Sequence, residues 1–213
     1  MILLRLAAAT VLATSLASCA VMKKQPTDDL VTITTPQGEI RLLLSDTAPK
    51  HKANFLKLAR EGFYDGTTFH RVINGFMIQG GDPNSKNDNP TDDGQGGPGY
   101  TVPSEMSNGL KHERGAIAGA RLGDGQNPKR ESSGSQFYLV QPVGGTPFLD
   151  GQYTVFGQTV SGFDVIDKIS QVAKGAGDRP KTPVTMKVKV ESLPRKKITE
   201  LTGYQYPGTA AKK

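Results

Sequence analysis

What most limits the fold of this 213-residue chain is how often its apolar pattern is interrupted. Its 25 glycines and 14 prolines leave few stretches long enough for a helix. Short alternating runs between turn residues read instead as strands. Residues 30–35 and 39–45 flank Pro36-Gln37-Gly38 and read as a hairpin. Further strands fit 67–73, 76–79, 115–120, 136–140 and 154–156, and "MKVKVES" alternates with Met186, Val188 and Val190 inward. The polar, glycine-rich residues 80–99 read as loop.

Only two segments carry a helical period. In the first, Phe55, Leu58 and Ala59 recur at helical spacing. Asp46 or Thr47 is placed to cap it, Pro49 suits its first turn, and Gly62 can end it. The second covers residues 161–170, with Phe163, Ile166 and Ile169 on one side. About eight short strands and two helices indicate an antiparallel barrel or sandwich. Two helices are too few for repeated βαβ units.

The ends differ from the middle. "MILLRLAAATVLATSLASCA" has an early Arg5, an apolar run and then small residues, the pattern of a secretory signal. Leu16-Ala17-Ser18-Cys19 resembles the bacterial lipobox, in which the cysteine becomes the acylated first residue. Cys19 is the only cysteine of the chain, so the exported domain is expected to hold no internal disulfide. The expected organisation is a signal peptide over 1–18, a tether over 19–27, one domain over 28–193 and a basic tail over 194–213. The formal charge is +6. No aromatic stacking pattern accompanies it, so a solvated basic surface is expected rather than nucleic-acid binding.

Several familiar signals fail on context. Gly94–Gly99 spells G-x-G-x-x-G, but a polar loop precedes it and Pro98 interrupts it, whereas a dinucleotide site needs strand before and helix after. The acidic residues 82–93 lack the EF-hand order of ligands. His51, His70 and His112 are far apart in sequence, so no metal site is expected. No G-x-S-x-G elbow surrounds the serine of "GSQFYLV". No cofactor is called for.

That leaves "FHRVINGFMIQGGD", residues 69–82, which sets Arg71 among apolar residues. Read as a strand, Phe69, Arg71 and Ile73 share one face, while His70 and Val72 share the other. Such an arginine either snorkels from the domain or pairs with a carboxylate, or it aims a hydrogen-bond donor at a substrate in an apolar groove. Phe76, Met77 and Leu149 taken alone are equally core residues, and Gln79 and Gln136 equally ordinary strand polar groups.

"FHRVINGFMIQGGD", "GAIAGAR", "SSGSQFYLV" and "FLDGQYTVFGQTVSGFDVID" follow one another in the order seen in cyclophilins. The chain resembles these peptidyl-prolyl cis–trans isomerases over nearly all of residues 28–193. The resemblance implies a mostly β fold, a closed eight-stranded antiparallel barrel capped by two α-helices. It implies Arg71 as the catalytic residue, acting on the proline-side carbonyl, and a prolyl pocket of Phe76, Met77, Tyr138 and Leu149. Gln79 matches a glutamine that orients the arginine and the peptide. Ala120 and Arg121 match positions that hold substrate backbone, Gln136 lines the same groove, and His70 precedes the arginine as in many members. Tyr138 stands where phenylalanine is usual, Phe148 where tryptophan contacts the inhibitor cyclosporin, and Tyr153 where histidine is common. The expected protein is a monomeric, lipid-anchored isomerase that assists the folding of exported proteins in a bacterial envelope. Its partners are proline-containing polypeptides and a membrane. A proline-peptide binding module or holdase is the alternative.

Overall fold

The structure is a computed structural model that describes residues 25–87 and 89–207; Cys19 and the segment read as a signal peptide lie outside them. Ten strands run β1 (Thr27–Thr35), β2 (Gly38–Leu44), β3 (Arg71–Ile73), β4 (Met77–Gly80), β5 (Thr101–Val102), β6 (Ala116–Gly119), β7 (Ser132–Ser133), β8 (Phe137–Val140), β9 (Val155–Ser161) and β10 (Lys187–Pro194). Eight of them form one antiparallel sheet in the order β10-β1-β2-β9-β6-β8-β4-β3. The other two, β5 and β7, pair separately; this small ribbon has no counterpart in the sequence reading, because two-residue strands carry no alternation.

The fold is mostly β, but the strand ladder does not close. Its edges, β10 and β3, are not paired with each other. Backbone bonds just before each of them join the two sides instead. Gly66 and Phe69 donate to the Met186 and Val184 carbonyls at 2.9 Å each, and Met186 donates to Thr67 at 2.8 Å. The strand expected over 67–73 is therefore only three residues long. Phe69 precedes it and turns into the core with Val72, so it does not share the outward face of Arg71.

The core lies on one face of the sheet, where Val31, Ile33, Ile40, Leu42, Ile78, Leu139 and Phe156 meet two helices. The first, α1 (Pro49–Arg60), buries Phe55, Leu56, Leu58 and Ala59. Phe55 stacks on Tyr64 at 4.8 Å and meets the edge of Phe137 at 5.5 Å. Gly62 ends the helix with φ +71°. No side chain of residues 46–48 caps its start. Glu105 does so from a distant loop, accepting the Lys50 and His51 N–H groups at 3.0 Å each. A carboxylate there satisfies two of the orphan donors and complements the helix dipole. The second helix, α2 (Phe163–Ser170), buries Val165, Ile166 and Ile169; Phe163 turns outward to meet Arg114.

Residues 194–207 of the expected basic tail continue the fold. Strand β10 extends to Pro194 and leads into a third α-helix, α3 (Arg195–Thr202), so the described residues hold three α-helices rather than two. Ile198 is fully buried and packs with Leu30, Leu43, Val160 and Tyr206 on the sheet face opposite the main core. Arg195 lies 4.7 Å above the Tyr206 ring. The sequence spaces only two strongly apolar residues, Ile198 and Leu201, on a charged background, which hides the helix from a periodicity reading. Ile198→Ala is expected to lower unfolding free energy by about 2–5 kcal/mol, the usual cost of emptying such a site. Urea unfolding measures it, and a loss below about 1 kcal/mol would mean the tail is not part of the folding unit.

Candidate active site

The sheet's two faces separate core from site. Along β8, Phe137 and Leu139 enter the main core, whereas Tyr138 and Val140 enter a second cluster on the opposite face. That cluster also holds Met77, Ala116, Ala118, Ala120 and Val155, with Phe76, Leu149 and Tyr153 against it. Register fixes the rest. Arg71 is directly opposite Gln79, Gln79 opposite Tyr138, and Tyr138 opposite Ala118. Directly opposed residues share a face, so one row across four strands carries a guanidinium, an amide, a phenol and a methyl. The alanines of β6 leave space above the row.

That space opens into a cleft of about 690 Å³, a size that suits a ligand. His70, Arg71, Phe76, Met77, Gln79, Ala120, Arg121, Tyr138, Leu149 and Tyr153 all line it. Arg71 is exposed and, among the described residues, its guanidinium has no hydrogen bond or ion pair. Met77 and Tyr138 are buried, at 2% and 5% exposure.

Two expected groove residues lie elsewhere. Gln136 stands behind Gln79: its Oε1 accepts from Gln79 Nε2 at 3.1 Å, and its Nε2 donates to the Gly94 and Gly96 carbonyls. It is spent on support rather than lining the groove, because a buried amide must satisfy both ends. Phe148 is 70% exposed and lies outside the cleft, its ring 5.9 Å from that of Phe76 and nearly parallel to it. Ala120 does line the cleft, but its N–H already donates to the Gln136 carbonyl at 3.0 Å.

The supporting polar groups are fixed from below. Asp82 is fully buried and accepts N–H bonds from Asn84, Gly94 and Gly96, which shapes the loop beside Gln136. Arg121 donates to the Gln152 and Leu122 carbonyls and to Asp124, and stacks 4.5 Å over Tyr153. Beyond Arg71 the cleft continues toward Thr91, Asp93, Gly177 and Arg179, which the sequence reading did not assign to the site. Arg179 Nη1 lies 2.9 Å from Asp93 Oδ2. Burial raises the Asp93 carboxyl, and Arg179 offsets part of that.

The three histidines stay apart, and among the described residues no group of three or more His, Cys, Asp or Glu side chains could hold a metal ion. His70 is buried, and neither ring nitrogen has a hydrogen-bond partner among the described residues. His51 bridges Glu105 Oε2 at 2.7 Å and Ser132 Oγ at 2.9 Å. The connectivity is that of a hydrolase triad. Ser132 is only 1% exposed, so no acyl group reaches it. The arrangement anchors α1 to the β7 segment.

Burial lowers the pKa of His51, His70 and His112. The unfolded chain, with histidines near their usual value of about 6.5, therefore takes up protons first as pH falls. Stability linked to these groups is complete above that value and lost below it. The urea midpoint is expected to fall between pH 7 and pH 5.5. A midpoint that holds or rises would contradict the burial account.

Comparison with known proteins places this geometry. Residues 30–190 match the family model for cyclophilin type peptidyl-prolyl cis-trans isomerase/CLD. The chain is 40% identical over 184 residues to a probable peptidyl-prolyl cis-trans isomerase of Brucella suis, covering 84% of this chain and 90% of that protein. It is 41% identical over 155 residues to the peptidyl-prolyl cis-trans isomerase CYP18-1 of Arabidopsis thaliana, covering 70% and 88%. A putative bifunctional phosphatase/peptidyl-prolyl cis-trans isomerase of Streptococcus pyogenes is 42% identical over 185 residues, and the match spans 72% of this chain but only 37% of that longer protein. The crystal structure of a Cryptosporidium parvum cyclophilin type isomerase superposes with a TM-score of 0.68 at 30% identity, covering 79% of this chain and all of that one. The chain belongs to the cyclophilin-type peptidyl-prolyl cis–trans isomerase family.

Proposed function

We propose that this isomerase turns over X-Pro bonds through Arg71, with the prolyl ring seated on Phe76, Met77, Tyr138 and Leu149. The observation that carries this reading is an unpaired guanidinium beside an apolar cleft, with Gln79 directly across from it. An X-Pro bond resists rotation because the nitrogen lone pair is shared with the preceding carbonyl, giving a barrier of roughly 18–20 kcal/mol. Twisting the bond localises that lone pair on a pyramidal nitrogen. Arg71 favours this form by donating to the carbonyl of the prolyl residue itself, while the ring stays fixed in the pocket.

The magnitudes agree. Uncatalysed turnover takes tens to hundreds of seconds. Bringing it to about 10 ms requires roughly 10³–10⁴-fold, or about 4–5.5 kcal/mol. A hydrogen bond from a charged donor supplies about 1.5–3 kcal/mol. Tighter binding of the twisted than of the planar imide supplies the rest. Gln79 orients the arginine and the peptide, and Gln136 holds Gln79 in place. The N–H of Ala120 and the guanidinium of Arg121 are both already engaged, so the main chain of Arg121 is the stronger candidate for gripping substrate backbone. His70 and Tyr153 border the bound peptide. The backbone bonds between 66–69 and 184–186 support a sheet that works as a closed barrel and holds this row rigid.

A crystal structure of the Cryptosporidium parvum isomerase was determined in the presence of the dipeptide Ala-Pro. By analogy, proline-containing segments of unfolded or partly folded polypeptides are the substrates here. Arg71→Ala is expected to lower kcat/KM about 10–150-fold in a proline-limited refolding assay, with peptide affinity largely kept. A variant that refolds the substrate as fast as wild type would favour the holdase reading instead.

The same reading places the enzyme on a membrane of the bacterial cell envelope as a monomer. Its support is the lipobox-like Leu16-Ala17-Ser18-Cys19 and the absence of any other cysteine. One acyl chain binds a bilayer only marginally, so stable anchoring requires more than one. The full-length chain expressed in a bacterium is expected to take up a labelled fatty acid and sediment with membranes, and Cys19→Ser to do neither. Labelling of the serine variant would remove the anchor from the proposal.

A further inference from the structure

Tyr138 brings a hydroxyl to an apolar pocket, and buried phenols need a partner. Its partner is His112, whose Nε2 lies 2.9 Å from the Tyr138 oxygen, with the two rings nearly parallel. His112 is itself pinned by Asp150. The Asp150 Oδ1 atom accepts both the His112 backbone N–H and Nδ1, at 2.9 Å each. Lys111 sits 3.5 Å from the other carboxylate oxygen. The His112 carbonyl accepts the Thr146 N–H at 2.8 Å. The backbone at Gly145 passes so close that a Cβ there would sit 2.3 Å from that carbonyl.

His112 therefore ties together two walls of one pocket. Its Nε2 reaches Tyr138 on β8, and its other polar groups hold the 146–150 segment that carries Leu149. Proton positions follow from the chemistry. An ionised carboxylate only accepts, so Nδ1 carries the proton toward Asp150 and Nε2 is left as an acceptor. Tyr138 then donates its proton away from the cleft. The pocket face of the ring stays apolar, as a prolyl ring requires.

The geometry points to His112 as a positioning residue for the prolyl pocket, anchored by Asp150 and acting through the Tyr138 hydroxyl. This inference rests on the pocket reading above and deepens it. Lys111, Asp150, Tyr138, Tyr153 and Arg121 are the charged or titratable groups around this chain of contacts.

A double-mutant cycle on the full-length chain tests it. With Tyr138 present, His112→Gln is expected to raise KM about three- to tenfold with kcat little changed, the range one neutral hydrogen bond supplies. In a Tyr138→Phe background the same change is expected to move KM less than twofold. Equal shifts in both backgrounds, or no shift in the first, would overturn the proposal. A second measurement needs no variant. The 15N spectrum of the imidazoles is expected to show His112 as the neutral Nδ1–H tautomer at pH 7.5, and the Nε2–H tautomer would overturn the proposal. Arg71→Ala run alongside separates the two levels of inference. Loss of turnover there with a flat cycle removes the role of His112 and leaves the pocket assignment standing.

Discussion

Tyr138 and Leu139 are neighbours in sequence and belong to different apolar clusters. That separation is the constraint on which the molecule depends. A strand has two faces and a period of two, so one backbone serves the core with alternate residues and the cleft with the others. All four residues of β8 are buried, as are all four of β6. Such strands cannot slip by one residue without exchanging core and site. The stability of the core therefore fixes the register of the cleft. Ile78, Leu139 and Ile117 hold the inner row, and Gln79, Tyr138 and Ala118 follow on the outer one.

Polar groups do the remaining positioning, and they act over long sequence distances. Glu105 caps α1 from a loop more than fifty residues away, and the same carboxylate holds His51 against Ser132. Asp82 gathers three backbone N–H groups, two of them from a loop that also accepts the Gln136 amide. Each buried polar atom that finds such a partner avoids a penalty of about 1–3 kcal/mol. The result is that Gln79 presents its amide beside Arg71 from a base that is itself fully bonded. His112 performs the corresponding task on the far side of the pocket.

Where structure followed sequence, the signals were local. Pro36-Gln37 is the two-residue turn between β1 and β2, and Pro49 and Gly62 bracket α1. The cyclophilin motifs located the cleft because several of them converge on it. What the sequence hid was tertiary. Asp46 and Thr47 have the right chemistry for a cap, yet Glu105 takes the helix N–H groups. Phe69 alternates correctly with Arg71 on paper, but the strand begins only at Arg71 and leaves Phe69 free to turn inward. His112 lies in no motif that marks it for the pocket. The usable signal was Tyr138, since a hydroxyl in an apolar pocket demands a partner and a histidine within the domain can be one.

Arg71 differs from the arginines around it by what it lacks. Arg114 pairs with Asp167, Arg121 with Asp124, Arg130 with Asp124, and Arg179 lies against Asp93. Each of those guanidiniums is committed to holding structure. A carboxylate beside Arg71 would compete with a substrate carbonyl for the same donors, and the weaker, neutral acceptor would lose. Leaving Arg71 unpaired costs little, because it is exposed and water satisfies its donors until peptide arrives. On the proposed mechanism, the apolar residues at its side remove that water as the prolyl ring binds. The proposed hydrogen bond to the prolyl carbonyl would then form where the local dielectric is low and its strength is greatest.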